Sequence, residues 1–403
     1  MRVLLIGVGT VGEAIARLAA ERDWCEQLVL ADYDTERATA LAASLDGGDR
    51  LPVERVDARD QGQIVELARR HRSELVMNAV DPQFLMPIFE AALEAGTHYM
   101  DMAMSLSRPG GPKLGDEQFA RAEAWERSGR LALVGMGMDP GLSDVFAAHA
   151  AKHLFDEIHE VHVRDGGDLA IPGYAFAPVF SIWTTIEECL NPPVEWHGGR
   201  DEWITTEPFS APEAFPFPEG VGPVECVNVE HEEVLLVPRY LKGVRRVTFK
   251  YALGADFIAK LQFLHDIGLD RTEPVTVRGV DVSPRDVVAA LVPDPITLGD
   301  KMVGRAIVGT WVIGRLDGRP REVFLYQMAD AEETLRRTGS QVVGWQTGFN
   351  AVLAMELLAT GAWTGTGVQA PEAFDPDPYL ALMDQYSIHH AQVEMKPGAH
   401  RPT

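Results

Sequence analysis

The sequence predicts an α/β protein in which a doubly wound parallel sheet is followed by a second, α+β domain. Three observations support this fold class. Short apolar runs alternate with amphipathic segments over residues 1–150, a glycine-rich turn follows the first run, and the alternation stops where prolines and aromatic residues begin to recur. The 403 residues are enough for two domains, each with its own hydrophobic core.

The first domain, residues 1–150, contains six candidate strands joined by candidate helices. The strands are short runs rich in leucine and β-branched residues, predicted at 3–6, 28–32, 53–57, 75–80, 98–102 and 131–135. The segments between them carry apolar residues at helical spacing, which predicts helices at 13–22, 35–45, 61–70, 86–95, 116–127 and 143–152. Strands that alternate with helices form right-handed crossovers and a parallel sheet with helices on both faces.

The second domain, residues 151–340, has a different composition. Prolines recur with tryptophan and phenylalanine between residues 165 and 223, and helical periodicity is lost there. We predict that this stretch, either a long loop or a loop-rich sheet insertion, forms the active-site side of the domain. Alternating runs predict an antiparallel sheet with strands at 247–251, 275–277, 308–315 and 322–327, beside helices at 257–267 and 284–291. A long apolar helix is predicted over 341–360, and the polar tail from about residue 388 is expected to fray.

The charge balance excludes several classes of partner. The chain has 36 basic and 60 acidic side chains and a net charge of −24, which repels the phosphates of nucleic acids and anionic membranes. Its opening residues lack a signal-peptide pattern, and no apolar run approaches the roughly 20 residues that span a bilayer. Three dispersed cysteines argue against disulfides and against a zinc or other metal site. We expect a cytoplasmic protein that acts on small molecules, cationic amines being compatible with its charge.

A glycine motif stands between the first predicted strand and the first predicted helix. In this G-x-G-x-x-G motif, Gly7 permits a tight turn, Gly9 lets the backbone approach a pyrophosphate, and Gly12 allows the helix to pack closely on the sheet. The N-terminal end of the helix presents backbone N–H groups to the phosphates. The residues at that end are Thr10 and Val11. The motif therefore predicts a dinucleotide-binding domain of the Rossmann type.

An acidic residue completes the motif and indicates which dinucleotide is bound. Asp32 closes the second strand, 20 residues after Gly12, where it would accept hydrogen bonds from the adenosine ribose hydroxyls. Asp34 adds a second carboxylate, and both would repel a 2′-phosphate, so NAD is predicted rather than NADP. Arg37 leaves the alternative open, because an arginine here either clamps a 2′-phosphate or lies solvated on a helix face.

Further residues at the carboxyl ends of the strands are candidates for the rest of the site, since ligands bind at that edge of such sheets. Asp57 is expected near the adenine. The step Asn78-Ala79-Val80 is expected to face the ribose and nicotinamide, although Asn78 also suits a turn-capping amide. Asp101 and Asp139 follow the fifth and sixth strands, where each is either a substrate-facing carboxylate or a structural one, Asp139 as a helix N-cap.

Several motifs resemble the saccharopine dehydrogenase superfamily. They are the segments 137–146 (GMDPGLSDVF), 164–168 (RDGGD) and 229–233 (VEHEE), with 264–269, 291–299 and 371–378 in the C-terminal half. The pattern most resembles the carboxynorspermidine and carboxyspermidine dehydrogenase branch and spans nearly the whole chain. The resemblance implies an N-terminal Rossmann domain, a central α+β domain for substrate binding and homodimerisation, and a C-terminal region, 341–403, that completes the first domain. It also implies reversible hydride transfer between NAD(P)H and the C=N bond of an imine formed from an aldehyde and an amine.

Two segments depart from that branch. The aromatic-rich stretch 175–185, with Trp183, and the segment 248–251, with Lys250, are more similar to lysine 6-dehydrogenase and saccharopine reductase relatives. An oxidatively deaminating amino-acid dehydrogenase is therefore an alternative. A non-catalytic NAD-binding protein is a second alternative.

The reaction that the resemblance implies needs a cationic imine held near the cofactor and one proton managed on its nitrogen. Asp139, Asp165 and Asp101 are proposed as carboxylates that stabilise the cation. His231 is the candidate acid or base, because imidazole titrates near neutral pH. The remaining candidates are Lys250 or Arg246 for a substrate carboxylate and Trp183 for a cation–π contact with an ammonium group. Each has a structural alternative, namely a solvated strand histidine, a surface lysine and a packing tryptophan.

Overall fold

A computed structural model describes residues 1–108, 110–200 and 202–398. The chain divides into two compact units, one formed by residues 1–152 and 343–389 and the other by residues 153–342 with the segment that starts at His390. In the described part of the chain, no helix has the length and apolar character needed to cross a bilayer.

The first unit is built on a seven-stranded sheet in which every neighbouring pair is parallel. The strand order is β17-β6-β5-β4-β1-β2-β3. From β1 the chain first adds β2 and β3 on one side and then β4, β5 and β6 on the other, and such sheets bind ligands at the point between β1 and β4 where the order switches. This confirms the predicted fold class. The elements are β1 Arg2–Ile6, α1 Thr10–Ala20, β2 Gln27–Asp32, α2 Thr35–Ser44, β3 Val53–Arg55, α3 Gln61–Arg70, β4 Leu75–Asn78, α4 Leu85–Ala95, β5 His98–Met100, α5 Asp116–Phe119, α6 Ala122–Ser128, β6 Leu131–Leu133, α7 Leu142–His149, α13 Val342–Thr360, β17 Gly367–Gln369 and α14 Pro376–Gln385.

Helix α13 packs against α1 through small residues. A Cβ atom added at Gly344 would lie 2.7 Å from Cγ2 of Thr10, and one added at Gly348 would lie 2.9 Å from Cβ of Ala14. The glycines therefore let the two helix backbones approach closely, beside the turn that opens α1.

The second unit contains a nine-stranded mixed sheet and a separate two-stranded sheet. The main path is β10-β11-β12-β7-β15-β16-β18, with β8 paired to β12 and to β9. The elements are β7 Glu157–Gly167, α8 Ile182–Leu190, β8 Val194–His197, β9 Glu202–Thr205, β10 Glu213–Phe217, β11 Gly222–Asn228, α9 Glu233–Tyr240, β12 Arg246–Tyr251, α10 Ala255–Asp266, β13 Val275–Val277, β14 Val280–Val282, α11 Pro284–Leu291, β15 Arg305–Leu316, β16 Arg319–Asp330, α12 Ala331–Thr338 and β18 His390–Met395.

Three features of this unit bear on the sequence prediction, and two of them correct it. The sheet is not purely antiparallel, because β7 and β12 run parallel from the pair Arg246–Glu160 to the pair Tyr251–Asp165. Of the two alternatives for the proline-rich stretch, the sheet insertion is confirmed, since the stretch contains α8, β8, β9 and β10 and these strands belong to the main sheet. The predicted C-terminal region is divided, because residues 343–389 belong to the first unit, whereas the segment that starts at His390 belongs to the second. The tail does not fray at residue 388, since β18 pairs with the open edge of β16 and satisfies its backbone hydrogen-bonding groups.

Alternation along the strands gives the main sheet two different faces. Phe249 of β12 lies beside Val163 of β7 on one face, and Lys250 lies beside Arg164 on the other. The second face also carries an aromatic core built from Phe215, Phe217, Trp311, Phe324 and Tyr326. Side chains that share the face of Phe249 are therefore available for a site that is separate from this core.

Candidate functional site

The glycine turn of the first unit has the shape of a phosphate cradle. Gly7 has φ +97°, and a Cβ atom there would lie 2.5 Å from the carbonyl oxygen of Ala79. A Cβ atom at Gly12 would collide with the carbonyl oxygen of Gly7, whereas one at Gly9 would meet nothing within 4 Å. The turn is thus closed against the sheet and open above Gly9, the N-cap of α1, where Thr10 and Val11 begin the helix. These residues fit the diphosphate of a dinucleotide.

Asp32 joins this turn to the end of β2. Its Oδ2 accepts the Val8 N–H at 2.6 Å, and its Oδ1 accepts the Asp34 N–H at 2.7 Å. The side chain is half-buried at the carboxyl edge of the sheet, next to the turn. Asp34 instead caps α2, accepting the N–H groups of Glu36 and Arg37 at 3.1 and 3.3 Å. Asp32 is therefore the acidic residue that contacts the glycine turn.

Asp57 and Asn78 have local hydrogen-bond partners. The Arg59 guanidinium donates to both oxygens of Asp57 at 2.9 and 2.8 Å, and these hydrogen bonds lower the pKa of Asp57 to about 2. Asn78 is buried, donates to the Tyr99 hydroxyl at 3.0 Å and accepts the Val80 N–H at 3.2 Å. The amide of Asn78 therefore fixes the conformation of the segment 78–80, in which Ala79 lies against Gly7.

Asp101 lies in an internal hydrogen-bond network. It is buried after β5, its Oδ1 accepts the Gly135 N–H at 2.7 Å, and its Oδ2 accepts a hydrogen bond from Gln118 at 2.7 Å. These contacts tie the end of β5 to the segment after β6. These hydrogen bonds fit the structural alternative for Asp101, and its substrate-facing role stays a prediction.

Asp139 lies in the loop between β6 and α7. It precedes Pro140 through a cis peptide bond and is half-buried. The loop is closed by a hydrogen bond from the Gly137 N–H to the Pro140 carbonyl at 2.8 Å. The N-cap of α7 is Gly141, whose N–H donates to Asp144 at 2.8 Å, so Asp139 is not the helix N-cap that the alternative interpretation required.

In the second unit, a histidine and four carboxyl groups form a cluster, which we call the carboxylate cluster; Glu188 is half-buried and the other members are buried. His231 stacks on Phe249 with ring centroids 3.6 Å apart and an interplanar angle of 9°. Its Nδ1 lies 2.6 Å from Oε2 of Glu233 and 3.5 Å from Oε2 of Glu232. The other members of the cluster are Asp165 and Glu188.

The electrostatics of the carboxylate cluster favour a cation. Burial raises the pKa of Asp165 to about 7, with Glu233 acting in the same direction and His231 opposing. Burial raises the pKa of Glu188 to about 8, with Glu232, Asp165 and Glu233 adding to the rise and His231 opposing it. A bound cation would relieve the repulsion between these carboxylates and favour their charged forms.

The cluster could also hold a metal ion by geometry. One ligand atom each of His231, Glu232 and Glu233 lies within 4.8 Å of the other two. This spacing suits a divalent ion or one ammonium group. Asp165 and His231 are predictable from the sequence as site residues, whereas Glu188, Glu232 and Glu233 were not predicted. The two glutamates beside His231 were visible in the segment 229–233, whereas Glu188 lies in α8 and carries no local signal.

The position of Lys250 differs from both sequence predictions, a lysine that binds a substrate carboxylate and a surface lysine. Lys250 lies on the opposite face of β12 from Phe249 and is fully buried, with its Nζ donating to the Ala211 carbonyl and 3.4 Å from Glu213. Glu213 also accepts two hydrogen bonds from Arg164, at 3.2 and 3.0 Å. Burial lowers the pKa of Lys250 to about 8, and the Arg164 charge acts in the same direction. Lys250 therefore belongs to an internal ion-pair network and is not placed to bind a substrate carboxylate.

The remaining predicted side chains also have protein partners. Trp183 is 5% exposed, and the guanidinium of Arg285 lies 4.6 Å from its ring centroid, so its cation–π partner is Arg285 and not a substrate. Arg246 donates to Glu195 at 3.0 Å. Asp168, the last residue of the segment 164–168, accepts the backbone N–H of Arg305 at 2.7 Å, which joins β15 to the segment after β7.

The raised pKa of Glu188 predicts an unusual pH dependence of stability. A carboxyl group whose pKa is raised on folding binds more protons in the native state, so its stabilising contribution is lost as pH rises from about 4.5 to about 8. Between pH 6 and pH 9 the wild type should therefore lose about 2 kcal/mol of its free energy of unfolding through Glu188. The variant Glu188→Gln stays neutral at both pH values and should not show this loss. Urea titrations at the two pH values measure this difference. The exposed Glu225→Gln is the matched control, and equal behaviour of the two variants would contradict the assignment.

Comparisons with known proteins agree along the whole chain. A model described as the saccharopine dehydrogenase NADP binding domain matches residues 3–133, and one described as the saccharopine dehydrogenase C-terminal domain matches residues 137–388. A carboxynorspermidine synthase from Vibrio alginolyticus is 32% identical and a carboxyaminopropylagmatine dehydrogenase from Synechocystis sp. is 27% identical; the alignments cover 99% and 97% of this chain and 98% and 97% of those proteins. A saccharopine dehydrogenase (L-Glu forming) from Saccharomyces cerevisiae shares the fold, with a TM-score of 0.69, 15% identity and coverage of 98% of this chain and 100% of that one.

Proposed function

Because the chain belongs to the saccharopine dehydrogenase family and is an NAD(P)-dependent oxidoreductase, we propose that it reduces the C=N bond of an imine formed from an aldehyde and a cationic amine. The family resemblance predicted from the sequence is thereby confirmed. The observation that carries the proposal is the carboxylate cluster, because four acidic groups that interact with one imidazole, three of them buried, suit a substrate that brings positive charge.

The similar proteins narrow the class of amine. Two of them are named carboxynorspermidine synthase, from two Vibrio species, and one is named carboxyaminopropylagmatine dehydrogenase. Norspermidine and agmatine are both cationic amines at neutral pH. We therefore propose a diamine, polyamine or agmatine-like amine for this chain, joined to an aldehyde that carries a carboxylate and an amino group.

The proposed reaction has two steps, a condensation and a reduction. The amine and the aldehyde condense with loss of water to give a protonated imine, and addition of one hydride to its carbon gives a secondary amine. The nicotinamide cofactor, when bound by the glycine turn of the first unit, supplies the hydride. Asp165, Glu188 and Glu232 stabilise the positive charge while it exists.

His231 manages the proton on the substrate nitrogen. The Glu233 carboxylate accepts the Nδ1–H of His231 at 2.6 Å, which fixes the ring tautomer and its orientation on Phe249. Nε2 is then the ring nitrogen that exchanges a proton with the substrate. The stacked ring and the buried carboxylate together keep this nitrogen in one position, as general acid–base catalysis requires.

The test is a screen of NAD(P)H oxidation with pairs of aldehydes and amines. Oxidation that needs both partners, and depends on a cationic amine, supports the proposal. Release of free ammonia from one amino acid with NAD identifies a deaminating dehydrogenase instead. NADH binding without turnover on any pair indicates a non-catalytic protein, and either of these two results contradicts the proposal.

We propose NAD as the cofactor, because Asp32 places a negative charge at the carboxyl end of β2, where the adenosine ribose lies in such folds. The matching family model is described as NADP binding, which makes the choice testable. The kcat/KM of the wild type should be about tenfold or more higher with NADH than with NADPH, and Asp32→Ser should shift this ratio toward NADPH by about tenfold. Steady-state kinetics with both cofactors measure the shift. Asp34→Ser is the control, because Asp34 caps α2; a larger shift in that variant would contradict the role of Asp32.

We propose a homodimer that forms through the segment 255–291. Exposed apolar residues concentrate there, Leu291 being 80%, Val280 63% and Phe263 60% exposed. Strands β13 and β14 form an isolated two-stranded sheet, which is marginally stable without a cover, and the family resemblance assigns dimerisation to this domain. We propose that a second copy of the chain packs on the exposed apolar residues of this segment.

Light scattering during size exclusion tests the dimer. The wild type should elute as a dimer, and Val280→Asp with Leu291→Asp should elute as a folded monomer, because buried charge opposes association. Val393→Asp, at the exposed edge strand β18, is the control. A wild-type monomer, or a dimer dissociated only by the control substitution, would overturn this interface.

The setting we propose is the cytoplasm, with small molecules as partners. Cys25, Cys189 and Cys226 are all buried free thiols, which suits a reducing compartment. The net charge of −24 disfavours nucleic acids and anionic membrane surfaces as partners.

A further inference from the structure

A cavity of about 460 Å³ lies at the C-terminal end of α9, within the second unit. Its volume is in the range of sites for small molecules. It is separate from the carboxylate cluster, because the cluster lies at the N-terminal end of the same helix and α9, with eight residues, is about 12 Å long. None of the proposed catalytic residues lines it.

The charge of this cavity is opposite to that of the chain. Arg239, Lys242 and Arg245 line it, all three are exposed, and none of the described residues that line it is acidic. Lys242 donates to the Arg239 carbonyl at 2.8 Å, which holds the turn after α9 in place. Three basic side chains around one cavity, in a chain of net charge −24, favour an anion.

The wall of the cavity supplies a rigid aromatic surface. Trp196 and Trp203 pack with ring centroids 4.7 Å apart, and both indole N–H groups donate to backbone carbonyls, at 3.1 Å to Val244 and 3.0 Å to Val234. Trp203 is nevertheless 36% exposed. A fixed, partly exposed indole offers a planar apolar contact at little entropic cost.

We propose that this cavity binds a small aromatic or planar molecule that carries a phosphate or a carboxylate. The guanidinium groups of Arg239 and Arg245 bind the anion, Lys242 adds charge, and the planar body lies against Trp203. Gly199 leaves the rim open, since a Cβ atom there would meet nothing within 4 Å. This site is independent of the proposed reaction, and its occupant need not be a substrate.

Isothermal titration calorimetry with the full chain, saturated with NADH, tests the site with defined probes. Phenyl phosphate and benzoate distinguish a phosphate ligand from a carboxylate ligand, and inorganic phosphate and phenol each lack one half of the recognised chemistry. Phenyl phosphate or benzoate should bind at least about tenfold more tightly than inorganic phosphate or phenol. Binding should also quench tryptophan fluorescence, and the quench should be lost in Trp203→Phe.

The variant Arg239→Glu with Arg245→Glu should weaken binding of the better probe at least about tenfold and leave the rate of NADH oxidation unchanged. Arg319→Glu, an exposed arginine at the start of β16, is the matched control and should bind normally. Lys242→Gln provides a second, milder variant with the same expected direction. No binding of either aromatic probe at millimolar concentration, or equal binding by the double variant and the wild type, would overturn the proposal.

Discussion

Replacement of His231 by alanine is expected to lower kcat for imine reduction by about 10²–10³-fold, while the dissociation constant for NADH stays within about twofold. The substrate nitrogen must exchange one proton, and the imidazole is held for this by Glu233 at 2.6 Å and by the Phe249 ring. Loss of the ring removes the proton carrier and leaves Glu233 buried without its imidazole partner. Rapid-mixing kinetics and an NADH binding titration measure the two quantities.

His231→Gln separates catalysis from packing. The amide can keep a hydrogen bond to Glu233 but exchanges no proton near neutral pH, so this variant should fold like the wild type and remain slow. His159→Ala, on β7 near a glutamate, is the matched histidine control. A kcat within about twofold of the wild type in both His231 variants would contradict the assignment of His231.

Replacement of Gly12 by valine should weaken NADH binding by about 100-fold or more, because any Cβ atom there collides with the Gly7 carbonyl oxygen. The turn must open to accommodate the side chain, which moves the helical N–H groups away from the diphosphate. Fluorescence titration with NADH measures the loss. Urea titration should show that the fold of the second unit survives.

Gly9→Ala provides the complementary result. Its Cβ atom meets no protein atom within 4 Å, so the variant should be as stable as the wild type. Affinity for NADH should still fall, by about tenfold, because the methyl group occupies the surface where the diphosphate approaches. Gly62→Ala in the first turn of α3 is the control for a glycine substitution as such. Unchanged NADH affinity in Gly9→Ala would contradict the placement of the diphosphate.

Local signals explain why much of the first unit could be predicted. The strands of its sheet are short apolar runs, and the glycine turn is defined by residues within one short segment, so no distant contact was needed to recognise them. The three-residue strand β17 was missed, because its pairing with β6 depends on a partner more than 230 residues earlier in the chain.

Distant contacts explain why the site in the second unit was predicted only in part. Alternation along β12 separates Phe249 from Lys250, but the sequence gives no indication of which face the site occupies. Trp183 has an aromatic surface that suits an ammonium group, yet Arg285, about 100 residues away, occupies it. Glu188 joins His231 only because α8 packs beside the segment before α9, where the Glu230 N–H donates to the Glu188 carbonyl at 3.0 Å.

Transfer of a labelled hydride tests the central claim most directly. NADH that carries deuterium at C4 of the nicotinamide is incubated with the enzyme, an amino-acid aldehyde and a diamine, polyamine or agmatine, and the products are resolved by mass spectrometry and NMR. The claim that the enzyme reduces an imine predicts one deuterium on the carbon next to the new secondary amine nitrogen. Deuterium found only in an alcohol derived from the aldehyde, or in no product that joins aldehyde and amine, would contradict it.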